Sequence, residues 1–117
     1  MHLDPNLSAP AVARAAVRRT MGGGDGAEVA ELLVTELVTN VLRHGSGDGT
    51  IDLTMRSIDG AWVVEVHGRG TIAGGKPDVG GFGLVLVDRL ADDWGIDGDD
   101  GFVRSWFRIG PSGPTEA

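Results

Sequence analysis

Glu36, Asn40 and His44 recur at every fourth position of Glu36-Leu-Val-Thr-Asn40-Val-Leu-Arg-His44. On a helix that spacing sends all three side chains along one stripe. A side-chain amide oxygen can take a magnesium ion that bridges phosphates, and a carboxylate one turn earlier can orient or deprotonate a nucleophile. The chemistry such a line suits is phosphoryl transfer. A solvated helix face accounts for any one of these residues alone, so the triplet needs a phosphate cradle elsewhere in the chain.

Twenty glycines among 117 residues offer three candidates for that cradle. Gly70-Thr-Ile-Ala-Gly-Gly75-Lys76 has the spacing of a Walker loop, but Pro77 stands where a magnesium-binding hydroxyl is needed and cannot open the required helix. Gly68-Arg-Gly70 with Gly74 is a partial dinucleotide fingerprint that lacks the same helix. Gly80-Gly81-Phe82-Gly83 stands directly before a helical pattern, so its amides and the helix dipole can face an anion. A flexible turn explains the last pattern equally well when it is taken alone.

The spacing predicts a helix over residues 8–19 with Ser8 as N-cap, and a second over 25–44. Asp25 and Glu28 have the form of a capping box at the second helix. Val29, Leu33, Leu37 and Val41, with Val34 and Val38, make its apolar stripe. Residues 50–56 and 61–67 alternate as strands joined by a turn carrying Asp59-Gly60. A sixteen-residue glycine-rich stretch, 68–83, has the composition of a functional loop. A helix over 84–91 and a hairpin of 94–96 with 102–109, turning at 97–101, complete the pattern. At most a short strand precedes the first helix. Helices on one face of a mostly antiparallel sheet make a two-layer α+β sandwich, a single domain over 1–109 with a disordered tail at 110–117. The aromatic residues Trp62, Trp94, Trp106, Phe102 and Phe107 fall on strands as core or cross-strand packing. Arg14, Arg18 and Arg19 form an exposed basic side of the first helix.

Ten Lys and Arg against seventeen Asp and Glu give a net charge of −7, which repels nucleic acid and anionic membrane. There is no cysteine, and His2, His44 and His67 lack the spacing of a metal site. With neither a signal-peptide pattern nor a membrane-length apolar run, the expectation is a cytoplasmic domain with no direct nucleic-acid or membrane contact.

Glu36-Leu-Val-Thr-Asn40, running on to Arg43-His44-Gly45, resembles the N-box of the GHKL, or Bergerat-fold, ATP-binding domains, in particular the anti-sigma-factor serine kinases. Gly80-Gly81-Phe82-Gly83-Leu84 with Leu86-Val87 resembles the glycine box that ends that family's ATP lid. The order of elements also agrees, from about residue 8 to 109. The resemblance implies ATP and Mg2+ as cofactors, Glu36 as catalytic base, and Asn40 as magnesium ligand. It implies Gly81 and Gly83, with Phe82 and Leu84 beside them, at the phosphates. The implied acceptor is a Ser or Thr of an anti-anti-sigma partner, and relatives of this kind often pair as homodimers.

One position departs from the family. Where its second hairpin strand ends in an aspartate that accepts the adenine amino hydrogen bond, this chain reads Val64-Glu65-Val66-His67-Gly68. Alternation puts Val64, Val66 and Gly68 on the ligand face and Glu65 and His67 on the other, so neither neighbour can substitute without a bulge. A hydrogen bond to a charged group is worth about 1.5–3 kcal/mol, so its loss weakens ATP binding roughly tenfold to a hundredfold. Gly68→Asp is the expected way to recover that affinity. Enzyme status stays open between a kinase and a degenerate, nucleotide-independent module that holds a sigma factor or anti-sigma antagonist by surface alone.

Overall fold

The computed structural model describes residues 1–44, 49–70 and 84–110, with backbone alone for His44 and Asp99. The tail from residue 111 lies outside them. In chain order the elements are β1 (His2–Leu3), α1 (Ala9–Met21), α2 (Asp25–His44), β2 (Ile51–Ile58), β3 (Ala61–Arg69), α3 (Val85–Leu90), β4 (Asp93–Asp99) and β5 (Phe102–Ile109). The strands form one sheet in the order β1-β2-β3-β5-β4, antiparallel at every pairing. Helices pack on one face of it, the α+β two-layer arrangement expected from the pattern.

Both hairpins turn on an Asp-Gly pair. Asp59 and Gly60 have φ of 52° and 82°, and Asp100 and Gly101 have 52° and 81°. Two consecutive positive φ values are those of the type I′ turn, whose twist matches that of the flanking strands. The second turn is therefore tighter than the 97–101 expected. Pairing runs on to Asp99↔Phe102, and Arg104 supports the extended edge by donating to Asp97 at 3.0 Å.

The helix starts also differ from expectation. At α1 the Asn6 side chain, not the Ser8 hydroxyl, makes the local cap: its Oδ1 accepts from the Ser8 N–H at 2.9 Å. Gly22 ends the helix at φ 84°, its N–H donating to the Arg18 carbonyl at 2.8 Å. At α2 the capping box does not form, because Asp25 is already the first helical residue and the Glu28 N–H bonds the Gly24 carbonyl at 3.0 Å. The two carboxylates instead sit in the first turn, where the helix dipole favours negative charge.

The apolar stripe of α2 meets the inner sheet face. Leu33, Val34, Leu37 and Val38 are fully buried against a core that includes Leu53, Val64, Val66, Phe107 and Ile109. The basic side of α1 is exposed at Arg18 and Arg19 as expected, and two of its arginines also reach α2. Arg18 donates to both carboxylate oxygens of Glu31 at 3.0 and 2.8 Å, and Arg14 donates to the Thr35 hydroxyl at 3.2 Å. A charge that reads as solvated in sequence thus braces α1 to α2. Aromatic packing divides: Phe107 and Trp94 are core, whereas Trp106 lies under Arg104 on the open face and Phe102 under Arg69 at the sheet end.

Leu37→Ala is expected to cost about 2–5 kcal/mol in denaturant unfolding, the usual range for truncating a buried leucine. The hydrogen bond from Arg18 holds the Glu31 carboxyl below its ordinary value. Its stabilisation is therefore present above the unfolded carboxylate pKa of about 4.3 and is lost as pH falls through the lower folded value. Glu31→Gln is expected to flatten the acid limb of stability against pH, read from melts between pH 3 and 7.

Candidate functional site

Asn40 lies just beyond the buried stretch of α2, one turn after Glu36, and is deeper than a residue at the margin of the core: 8% of it is exposed. Its Nδ2 is buried and has no hydrogen-bond partner among the described residues. Of the other buried polar groups, Glu31 is held by Arg18 and Ser105 donates to the Val66 carbonyl at 3.4 Å, while the Asp52 Oδ1 has no hydrogen bond but lies in an ion pair with His2. A buried amide left unpaired costs about 1–3 kcal/mol, and such exceptions mark sites that await a partner. A half-turn about χ2 exchanges the amide's ends, so one position can offer an N–H to a phosphate or an oxygen to a cation. Glu36 is half-buried and makes no hydrogen bond or ion pair with a described residue. A carboxylate and an amide one turn apart are thus both free to meet a ligand. His44 closes the helix, and its side chain lies outside the described residues.

Among the described residues no three His, Cys, Asp or Glu side chains gather as a metal cage. A magnesium ion at Asn40 would take its remaining ligands from phosphate oxygens and water, the usual coordination of that ion. The residues present fit the cation in this sense.

Of the glycine box, Gly81, Phe82 and Gly83 lie outside the described residues, as does most of the Walker-like run. Leu84, next in the chain, is fully buried in the core at the start of α3, and α3 packs against α2 and β4. Any part Leu84 plays at a phosphate falls to its backbone. The helix it opens has six residues, two fewer than the spacing predicts.

Gly68 pairs with Val103 near the end of β3 and faces α2, as the alternation requires. A Cβ built on it would come within 2.5 Å of the Val41 Cγ1, where ordinary contacts exceed 3.4 Å. Val41 is β-branched on a helix and has essentially one χ1 well, so it cannot swing aside cheaply. Gly68→Asp alone therefore has no room. Sequence reasoning missed Val41 as a site residue, although it directly follows Asn40. The opposition of positions 41 and 68 exists only once α2 is laid across β3.

Glu65 and His67 occupy the opposite face. Glu65 accepts from Arg104 at 3.0 Å and Arg56 at 3.1 Å, and lies 3.2 Å from His67 Nε2. Burial raises the Glu65 pKa, but hydrogen bonds from Arg104 and His67 outweigh it and leave the carboxyl below its ordinary value. This is a network that ties β2, β3 and β5 together, remote from Asn40.

Comparison with known families matches residues 6–104 to the histidine kinase-like ATPase domain. The chain belongs to that family, which implies nucleotide binding and typically Mg2+. No curated protein matches the chain. No helix among the described residues is long and apolar enough to cross a membrane.

Asn40→Ala removes an unpaired buried amide, so the ligand-free protein is expected to melt at the same temperature or higher. The same change should weaken magnesium-dependent nucleotide binding at least tenfold by calorimetry. A drop in melting temperature comparable to that of Leu37→Ala would show that Asn40 is a structural residue.

Proposed function

We propose that this domain binds ATP with Mg2+ at the C-terminal half of α2 and acts in the cytoplasm as a regulatory serine/threonine protein kinase of the anti-sigma-factor type. The observation that carries the reading is the buried Asn40 Nδ2, without a hydrogen-bond partner, one turn from a Glu36 that has no partner among the described residues. These are the positions at which the resemblance puts a metal ligand and a base.

In this reading Asn40 orients the metal-bound phosphates through its side-chain oxygen, and the backbone around Gly81 and Gly83 lines the phosphate site. Bound magnesium neutralises phosphate charge. Glu36 would accept the proton of a Ser or Thr hydroxyl on the partner as that oxygen bonds to the terminal phosphorus and the bond from that phosphorus to the bridging oxygen breaks, ADP leaving with the electron pair. Half-burial suits this role, because it shields the carboxylate from bulk water without removing it from reach. The partner class is a sigma factor or an anti-anti-sigma-like protein, and the net charge of −7 favours a basic docking surface on it.

The contact between Val41 and Gly68 favours a second reading. With no carboxylate for the base and no space for one, the domain would hold its protein partner by surface alone. The two readings separate by nucleotide dependence. Titration of ATP with Mg2+ is expected to give heat that Asn40→Ala abolishes, and partner capture is expected to change with nucleotide. Capture that is identical with ATP, with ADP and with neither, and that survives Asn40→Ala, would establish the second reading instead. Glu36→Ala is expected to lower phosphate transfer to the partner by about 10²–10⁴-fold, the usual contribution of a general base. Nucleotide affinity should stay within a few-fold.

A further inference from the structure

We propose that Val41 and Gly68 act as one specificity-determining pair. They give the base end of the site an apolar floor indifferent to the exocyclic groups of a purine, an inference that rests on the nucleotide reading above. The Val41 methyl groups occupy the volume any side chain at 68 would need: from an ideal Cβ the Cγ1 lies at 2.5 Å, the Cγ2 at 3.5 Å and the Val41 Cβ at 3.6 Å. Of these only the Cγ1 stands in the way, and Val41→Ala removes both γ-carbons. Removing them leaves the Val41 Cβ at ordinary contact distance from the new atom. The two positions are a knob and its hole, and a change at 68 is tolerated only with a change at 41.

The surroundings of the hole are apolar. Val66 precedes it by one inward position on β3 and Val103 faces it across β5. The charged side chains of β3 that flank it, His67 and Arg69, belong to the opposite face by alternation: His67 is engaged with Glu65, which also accepts from Arg104, and Arg69 lies over the Phe102 ring. The Ser105 hydroxyl, paired with Val66, donates to that residue's own carbonyl.

A base is told from its analogue when a polar group of the site loses its partner with the wrong ligand, a difference of 10⁴ or more. An apolar surface discriminates by only about ten- to a hundredfold between ligands of different size, and less between ligands of the same size. Adenine and guanine differ chiefly in whether an amino donor or an oxo acceptor stands at one ring position. Methyl groups and a glycine Cα cannot read that difference. The ligand class that fits is a purine nucleoside triphosphate held by its phosphates and metal, with the base identity unread.

The test has two arms. In the first, thermal melts without ligand compare the wild type with Val41→Ala, Gly68→Ala and the double variant. Gly68→Ala is expected to lower the melting temperature by several degrees in the wild-type background and by far less beside Val41→Ala. Additive shifts would overturn the knob-and-hole pairing whatever the protein binds. In the second, calorimetry with Mg2+ titrates ATP, GTP and inorganic tripolyphosphate into the wild type, Gly68→Asp and Val41→Ala/Gly68→Asp. The wild type is expected to bind ATP and GTP within about threefold of each other. The double variant should prefer ATP by tenfold or more, and Gly68→Asp alone should melt lower and gain no preference. A wild type that prefers ATP over GTP by more than tenfold, in a manner abolished by Asn40→Ala, would overturn the base inference and leave the nucleotide site standing. Folded wild type and double variant that bind none of the three probes would overturn the nucleotide site, and the base inference with it.

Discussion

The structure depends on the burial of one stripe of α2 against the inner face of an antiparallel sheet. Leu33, Val34, Leu37 and Val38 on the helix and Leu53, Val64, Val66, Phe107 and Ile109 on the strands exclude water from each other. At about 25 cal/mol per Å² of apolar surface removed from water, that contact is strongly favourable. It also fixes the helix in rotation and in axial position, because closely packed side chains allow no sliding by a fraction of a turn. Every chemical property of α2 follows from that placement.

Asn40 is the clearest case. It lies two residues beyond the fully buried Val38 and is itself buried. Core packing therefore carries an amide into a place where it has lost water and gained no protein partner. Other charged groups among the described residues hold the architecture together. Arg18 and Glu31 join the two long helices, and Glu65 gathers Arg56, His67 and Arg104 across three strands of the open face. The contrast gives Asn40 its significance, since a chain able to satisfy Glu31 and Glu65 so fully leaves a neighbouring amide unpaired.

The same packing explains how position 68 can be glycine. In a sheet crossed by a helix, each inward residue has a fixed allotment of space, and a large side chain on one element requires a small one on the other. Val41 takes that space here. A side chain at position 68 is therefore opposed sterically by Val41. Membership of the histidine kinase-like ATPase family, over residues 6–104, describes the scaffold and the nucleotide chemistry it implies.

The local pattern of the chain determined much by itself. The stripe on α2, the alternation of β2 and β3, the Asp59-Gly60 turn and the side of the sheet that Gly68 faces were all legible, because each depends on a periodicity or a dihedral preference carried by neighbouring residues. The spacing of Glu36 and Asn40 was legible for the same reason. Tertiary structure alone decided what those residues meet. Arg14 and Arg18 read as a free basic face until α2 brought Thr35 and Glu31 beside them, and Ser8 read as a cap until Asn6 folded onto its N–H. Val41 read as one more core residue until the crossing of α2 over β3 set it against Gly68. Contacts between residues far apart in sequence are set by how two elements pack, and no single element's pattern contains the position of the other.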